Sequence, residues 1–299
     1  LKVTVAICTS GRDTLVHAVR SLAKQLRPAD ELVIVDQSKR GTAQKAIDDA
    51  GYPFPYRVVE NNERGLSKAR NAAVAAITEG WVFFTDDDCV ASLDLVDQFH
   101  KVIAAYPDCS FFSGTCVRPL DYDPVTQDVP GVYVGKQVPI DEETVMLDGE
   151  FMGACLAFRK DLLDKVGKFD EFLGAGMEWP AGEECDYVFR AICAGFKGRT
   201  NARLLIFHEY GARTRPADDT DNGRIGNAVV IWKMKQIGDP LGIKIAQRIC
   251  PYGPKKVMLA KLTFGAKFPV DLKMYNKVQE LNKRLDREFK VEKGVLVKK

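Results

Sequence analysis

No stretch of the chain approaches the ~18 uncharged apolar residues that a membrane-spanning helix requires. The opening residues, LKVTVAICTSGR, also lack the basic start, long apolar centre and small-residue cleavage site of a secretory leader, so a cytoplasmic location is the expectation. Histidine is scarce. His17, His100 and His208 are the 3 present, and the first two fall inside helical patterns. A His-rich metal centre or a Ser-His-Asp hydrolase therefore has little to draw on. The 8 cysteines are scattered singly, without the C-x-x-C pairs that zinc sites use, and buried free thiols are expected. Neither a Walker A sequence nor a strand-following G-x-G-x-x-G occurs, which leaves the common nucleotide-binding motifs unsupported. Internal repeats and low-complexity segments are absent as well.

What remains is ordinary for a globular protein: 299 residues, 46% hydrophobic and 28% charged. The net charge of +2 hides an asymmetry, because from Leu241 onward Lys and Arg outnumber Asp and Glu by 15 to 5.

The first hundred residues alternate strand and helix signals. KVTVAIC (2–8) is a β-branched run, followed by Leu15, Val19, Leu22 and Leu26 at helical spacing with Asp13 as the cap. ELVIVDQS (31–38), YRVVEN (56–61) and WVFFT (81–85) repeat the strand; Gly41 to Ala50, Leu66 to Ile77 and Leu93 to Ala105 repeat the helix. This order argues for a largely parallel α/β sheet with helices on both faces. Further on, CSFFSGTCV (109–117), FMGACLAF (151–158) and a run from Ala202 ending at His208 read as strands. Residues 118–150 read as loop, and Lys160 to Val166 and Glu183 to Ala194 as helices.

Parallel sheets bind ligands beyond the carboxyl ends of their strands. The polar residues that end these runs should therefore converge: Thr9 and Arg12, Asp36, the loop 61–65, and Asp86, Asp87 and Asp88. Three adjacent carboxylates repel one another unless a cation compensates, and alternate residues such as Asp86 and Asp88 share one side of an extended chain. Oxygen ligands of this kind suit Mg²⁺ or Mn²⁺. Arg64, Lys68 and Arg70 open a helix where phosphate contacts are favoured, or form a solvated basic face. His208 is either a metal ligand or structural. Glu183-Glu184-Cys185-Asp186 offers a general base, or an acidic first turn with Asp186 paired to Arg190.

In this order and spacing the motifs resemble glycosyltransferase family 2, nucleotide-sugar-dependent enzymes with the GT-A fold. They are the opening VAICTSGRDTLVHAVRSLAKQ, ELVIVDQS, ERGLSKARNAAVAA, VFFTDDDCV, GACLAFRKDLLDKVGKFDEFLGAG, GEECDYVFRAICAGF and LLIFHE, over roughly residues 2–215. The resemblance implies a Rossmann-like, mixed and mostly parallel sheet flanked by helices. Residues 1–115 would be the nucleotide-sugar half, 116–215 the acceptor and catalytic half, and 216–299 a basic helical extension. It implies that Thr9, Arg12 and Asp36 contact base and ribose, with Asp36 accepting from a uracil N–H, and that Arg64 and Arg70 lie near the ribose-diphosphate. Asp86, Asp87 and Asp88 would form the D-x-D motif, Asp86 and Asp87 reaching the donor, Asp86 and Asp88 the cation, with His208 completing the metal shell. Gly153 and Ala154 would border the acceptor, where Cys155 replaces a frequent Asn. Members usually carry Glu-Asp where this chain has Glu183-Glu184, so the base is Glu184, with Glu183 as fallback. The implied reaction is inverting transfer from a nucleotide diphosphate sugar, with UDP as the default nucleotide, to a glycan or lipid-linked hydroxyl. Nucleic acid is not among the expected partners.

Two other readings stand beside this one. A catalytically silent nucleotide-sugar-binding scaffold would keep the fold without the reaction, and an aspartyl phosphotransferase would want a Gly/Thr turn where Cys89-Val90 stand. In the tail, Met274, Val278, Leu281, Leu285 and Phe289 recur at helical spacing among Lys273, Lys277, Lys283, Arg284 and Arg287. This basic amphipathic helix either lies on an anionic membrane or packs on the catalytic domain.

Overall fold

The structure is a computed structural model and describes residues 1–123, 125–129, 131, 138–140, 152–214, 222–238, 240 and 272–299. Most of the 118–150 loop, and residues 241–271 of the basic tail with Cys250, lie outside the described residues.

The strands are β1 (Val3–Thr9), β2 (Glu31–Asp36), β3 (Tyr56–Glu60), β4 (Trp81–Asp86), β5 (Val90–Ala91), β6 (Phe111–Val117), β7 (Gln127–Asp128), β8 (Pro139–Ile140), β9 (Leu156–Arg159), β10 (Gly198–Phe207), β11 (Arg213–Thr214), β12 (Phe289–Glu292) and β13 (Val295–Lys298). The helices are α1 (Leu15–Ala23), α2 (Thr42–Ala50), α3 (Leu66–Ala76), α4 (Leu95–Ala105), α5 (Lys160–Val166), α6 (Glu183–Cys193), α7 (Asn222–Ile237) and α8 (Leu272–Glu288).

Among the described residues the main sheet has nine strands, ordered β3-β2-β1-β4-β9-β6-β10-β5 with β8 on β10. The first four pair in parallel, β6 and β10 are again parallel, and β9 runs antiparallel between β4 and β6. The result is a mixed sheet whose long strands mostly point one way. The central strands β1, β2 and β4 are nearly continuous apolar runs because both of their faces are covered. Val5, Ile7, Ile34 and Phe83 pack one face against α1, α2 and α4, whereas Ala6, Val35, Val82 and Phe84 pack the other against α3 and α6. Successive residues serve opposite cores, as the two-residue pleat demands.

Three local expectations change. Helix α1 stops at Ala23, and Leu26 is 77% exposed. The chain is drawn across to α4 there: Gln25 Nε2 donates to Ser92 O at 2.7 Å and Leu26 N to Leu93 O at 2.9 Å. Thr14, not Asp13, occupies the N-cap of α1, with no side-chain capping bond. The expected strand 151–158 is interrupted by a 3₁₀ turn at Gly153–Cys155 before β9 begins. A Cβ on Gly153 would lie 2.3 Å from Arg70 Nη2, so the turn brings bare backbone against that guanidinium. Gly153→Ala is expected to displace Arg70 and cost about 1–3 kcal/mol, read from the denaturation midpoint.

The tail also ends differently. After α8 comes a β12–β13 hairpin that helical spacing did not foretell, since Phe289 ends the helical stripe and Gly294 turns the strands. Met274, Leu285, Phe289 and Leu296 are buried, the last three against Leu173, Trp179, Phe189, Val229 and Trp232. The apolar stripe of α8 is thus spent on the protein's own core. On its polar side Arg284 pairs with Glu178 and with Glu288. No helix among the described residues is long and apolar enough to cross a membrane.

Candidate functional site

The ends of β1, β2, β4, β6 and β10 gather the polar residues at one edge of the sheet. Asp86, the last residue of β4, and Asp88 bring carboxylate oxygens to within 4.8 Å of each other and of ligand atoms of Cys89 and His208. Asp88 is the hub. Its Oδ1 is 3.1 Å from His208 Nε2, its Oδ2 accepts from Arg12 Nη1, and its backbone oxygen accepts from Tyr210 N at 3.0 Å. Asp87 faces β1 instead: its Oδ2 accepts from the Thr9 hydroxyl at 2.6 Å, and Arg12 Nη1 stands 3.4 Å from its Oδ1.

Burial pushes the Asp87 carboxyl up to about 6, against the pull of Thr9 and Arg12, and also raises Asp86. Burial lowers the affinity of His208 for a proton, but the Asp88 carboxylate and the Cys116 thiol outweigh it and carry the imidazole up to about 11. Part of the repulsion within the Asp triplet is therefore met by the protein itself, through Arg12, Thr9 and His208.

Asp36 is engaged locally. Its Oδ1 accepts from Ser38 N at 2.7 Å and its Oδ2 from Ala43 N at 2.8 Å, tying the end of β2 to the first turn of α2. Burial would raise its pKa, but these hydrogen bonds and that of the Ser38 hydroxyl lower it. Arg64 is exposed in the loop before α3. That loop is pinned from the far half of the chain: Leu66 N donates to Ala175 O at 2.9 Å and Ser67 Oγ to Leu173 O at 2.6 Å. Gly65 must be glycine there, with φ +126° and Met177 Sδ 1.9 Å from where a Cβ would sit.

Arg70 turns inward. Its Nη1 donates to Glu183 Oε1 at 2.8 Å, its guanidinium lies over Phe84 and Phe169, and it is 2% exposed. In this structure the guanidinium is held in an ion pair that fixes the first residue of α6. Gly153 and Ala154, both buried, form the turn beside that guanidinium.

Glu184 sits next in the first turn of α6, where the helix dipole favours negative charge. Its Oε2 is buried with no hydrogen-bond partner among the described residues. Burial first, and then the adjacent Glu183, push its carboxyl up to about 8, with Arg70 pulling the other way. The two glutamates thus differ in kind: one is paired, the other is held close to neutrality with a free oxygen.

Helix α6 is anchored from behind. Asp186 Oδ2 accepts from Arg190 Nε at 3.0 Å, the i,i+4 pair its spacing suggested, and its Oδ1 from Lys233 Nζ at 2.5 Å. Lys233 also reaches Asp170 Oδ2 at 2.5 Å, and that oxygen accepts from Leu296 N at 2.8 Å. The sequence reading missed Lys233, although a lone lysine within VVIWKM on a helix is the signal of a buried, paired charge. Lys233→Met would take the ammonium from two buried carboxylates, leaving Asp170 with backbone donors alone, and is expected to cost about 3–5 kcal/mol, measurable by chemical denaturation. Cys89 and Cys116 are buried free thiols, as expected; Cys89 lies with the carboxylates and His208, and Cys116 with Cys89 and His208.

Residues 4–167 match the family described as Glycosyl transferase family 2. Solved structures share the fold. Residues 1–349 of TarS from S. aureus in complex with UDP-GlcNAc are 15% identical, with a TM-score of 0.63 over 94% of this chain and 80% of that one. TarS 1–349 alone is 16% identical, with a TM-score of 0.61 over 91% and 76%. The mannosyltransferase PcManGT from Pyrobaculum calidifontis, in complex with GDP-Man and Mn²⁺, is 21% identical, with a TM-score of 0.59 over 95% and 80%. No curated protein matches the chain.

Proposed function

Because the chain belongs to glycosyl transferase family 2, it is a glycosyltransferase, and we propose that it moves a sugar with inversion from a nucleoside diphosphate to an acceptor hydroxyl at this strand-end site. The observation that carries the assignment of roles is the contrast between Glu183, held by Arg70, and Glu184, whose buried Oε2 is unpartnered. A carboxyl raised to about 8 is, once ionised, a stronger base toward an attacking hydroxyl than an ordinary carboxylate. Glu184 is the general base in this reading, and Arg70 and Glu183 are positioning residues that set the start of α6. Gly153 and Ala154 line the acceptor side.

The donor set fits a divalent cation. Asp86, Asp88 and His208 offer two carboxylates and a ring nitrogen within mutual reach of one ion, and these would hold Mn²⁺ or Mg²⁺. When bound, such an ion offsets the negative charge that develops on the departing diphosphate. Arg12, 41% exposed at its side chain, can turn from Asp88 toward a donor, and exposed Arg64 is placed to meet the phosphates. Thr9 and Asp87 hold each other at the end of β1, and Asp36 shapes the β2–α2 turn against which a base would stack or bond. UDP remains the default nucleotide; the structural neighbours include complexes with UDP-GlcNAc in TarS and GDP-Man in PcManGT.

The acceptor is a glycan or lipid-linked hydroxyl. Since α8 packs its apolar stripe inward, a membrane contact through this helix would rest on its basic face. Nucleotide release from a panel of sugar nucleotides with Mn²⁺ tests the proposal. Release that rises with an added acceptor supports it, and hydrolysis-level release with every donor and acceptor contradicts it.

A further inference from the structure

We propose that Cys89, Cys116 and His208, with Asp88 as a fourth ligand, form a thiophilic metal site that takes Zn²⁺ and shares two ligands with the donor's cation site. The two sulfurs and the ring nitrogen lie within 4.8 Å of one another, and so do the ligand atoms of Asp86, Asp88, Cys89 and His208. In a tetrahedral zinc centre with ~2.3 Å Zn–S bonds the sulfurs stand about 3.8 Å apart, so only a small contraction separates these side chains from ligation. Cys89 Sγ is already 3.9 Å from Asp88 Oδ1, and His208 Nε2 is 3.1 Å from the same oxygen. The Cys116 thiol is in hydrogen-bonding contact with both Cys89 and His208.

Four buried groups from three separate strand ends converge on Cys89 and His208: Cys116 lies with these two, and Asp88 contacts the same two. Cys89 follows the Asp triplet in a turn closed by Cys89 N to Asp86 O at 3.3 Å, Cys116 pairs with Ile206 where β6 meets β10, and His208 N donates to Val117 O at 2.8 Å. Each of the four is no more than 2% exposed. Cys155, near by, shows how a structural thiol behaves: it donates to Leu204 O at 3.5 Å and belongs to no such cluster. Two sulfurs, one imidazole and one carboxylate are a zinc-type donor set, unlike the oxygen-rich shell that Mn²⁺ or Mg²⁺ prefers. The way in is past Arg12, the partly exposed group that covers Asp88.

Zinc in this position engages His208 and Asp88, and so withdraws them from the donor's cation. Zn²⁺ should therefore antagonise Mn²⁺ at the donor site. The site stands on its own residues, whatever the donor proves to be.

The test is titration of the full-length, phosphine-reduced chain with Co²⁺ in the absence of nucleotide. The expected result is the intense visible spectrum of tetrahedral Co(II) with a thiolate-to-cobalt charge-transfer band, abolished by one equivalent of Zn²⁺. Cys116→Ser should weaken that band and lower Zn²⁺ affinity at least ~10-fold. It should also relieve zinc antagonism of Mn²⁺-supported nucleotide binding. A weak octahedral spectrum without the charge-transfer band in the native chain overturns the proposal, whether or not the variant folds. So does an unchanged band in folded Cys116→Ser or Cys116→Ala. A charge-transfer band accompanied by no metal-dependent nucleotide binding would leave the zinc site standing and count against the donor reading alone.

Discussion

Glu184→Gln is expected to bind its nucleotide sugar normally and to turn it over at least ~10²-fold more slowly, because a positioned general base contributes about 10²–10⁴ in rate. The amide keeps the shape of the side chain and removes the basic oxygen. Ion pairing between Arg70 and Glu183 is left intact, so the start of α6 should not move. The native pH profile carries the same information. A base with a pKa near 8 is mostly protonated at neutral pH, so turnover should climb with pH and level off above about 8.

Stability should run the opposite way. The folded pKa of Glu184 lies above its unfolded value near 4.5, so the folded state holds a proton that the unfolded state releases between those values. Stability from this group is complete below pH ~4.5 and is lost as pH rises toward 8. Glutamine removes that loss, and Glu184→Gln should be more stable than the native chain at pH 8 by about 1–3 kcal/mol, allowing for screening of a half-buried group. Slower turnover with a higher denaturation midpoint is the signature of a residue kept for chemistry. Slower turnover with a lower midpoint would instead make Glu184 a structural residue.

The strand and helix order was legible because each strand is a run of β-branched and aromatic residues, and each helix an apolar stripe between turn signals. The edge where the site would form followed from strand direction alone. Contacts made across long separations were not legible. Arg70 and Glu183 are 113 residues apart, and their pairing depends on a 3₁₀ turn at Gly153 that an apolar run disguised as strand. Cys89, Cys116 and His208 meet because β5, which directly follows Cys89, pairs with the end of β10, and β10 in turn pairs with β6. No periodicity encodes that strand order. Asp36 illustrates a subtler limit: a terminal Asp on a strand reads as a ligand, and no strand pattern signals that both its oxygens also accept from backbone amides of its own turn. In the tail, the helical stripe was visible, but its partner was a core built from α6 and α7 rather than a lipid surface.

The second large effect is expected at Asp88, where Arg12 and His208 converge on one carboxylate. Asp88→Asn preserves the volume and can still hydrogen-bond both neighbours, so the fold should persist. It removes the charge that the cation needs, and metal-dependent nucleotide affinity should fall at least ~10²-fold, the scale on which losing an anionic ligand weakens a divalent site. Metal-independent binding, if any, should change little, since Arg64 and the amides of α3 are untouched.

The most direct measurement is nucleoside-diphosphate binding followed by thermal shift or calorimetry, with and without Mn²⁺, in the native chain and in Asp88→Asn. A metal-dependent response to one nucleotide in the native chain, absent in Asp88→Asn, is the predicted result. Equal responses to every nucleotide, unaffected by Mn²⁺ and retained in Asp88→Asn, would contradict the assignment of the strand-end carboxylates to a cation-bridged donor.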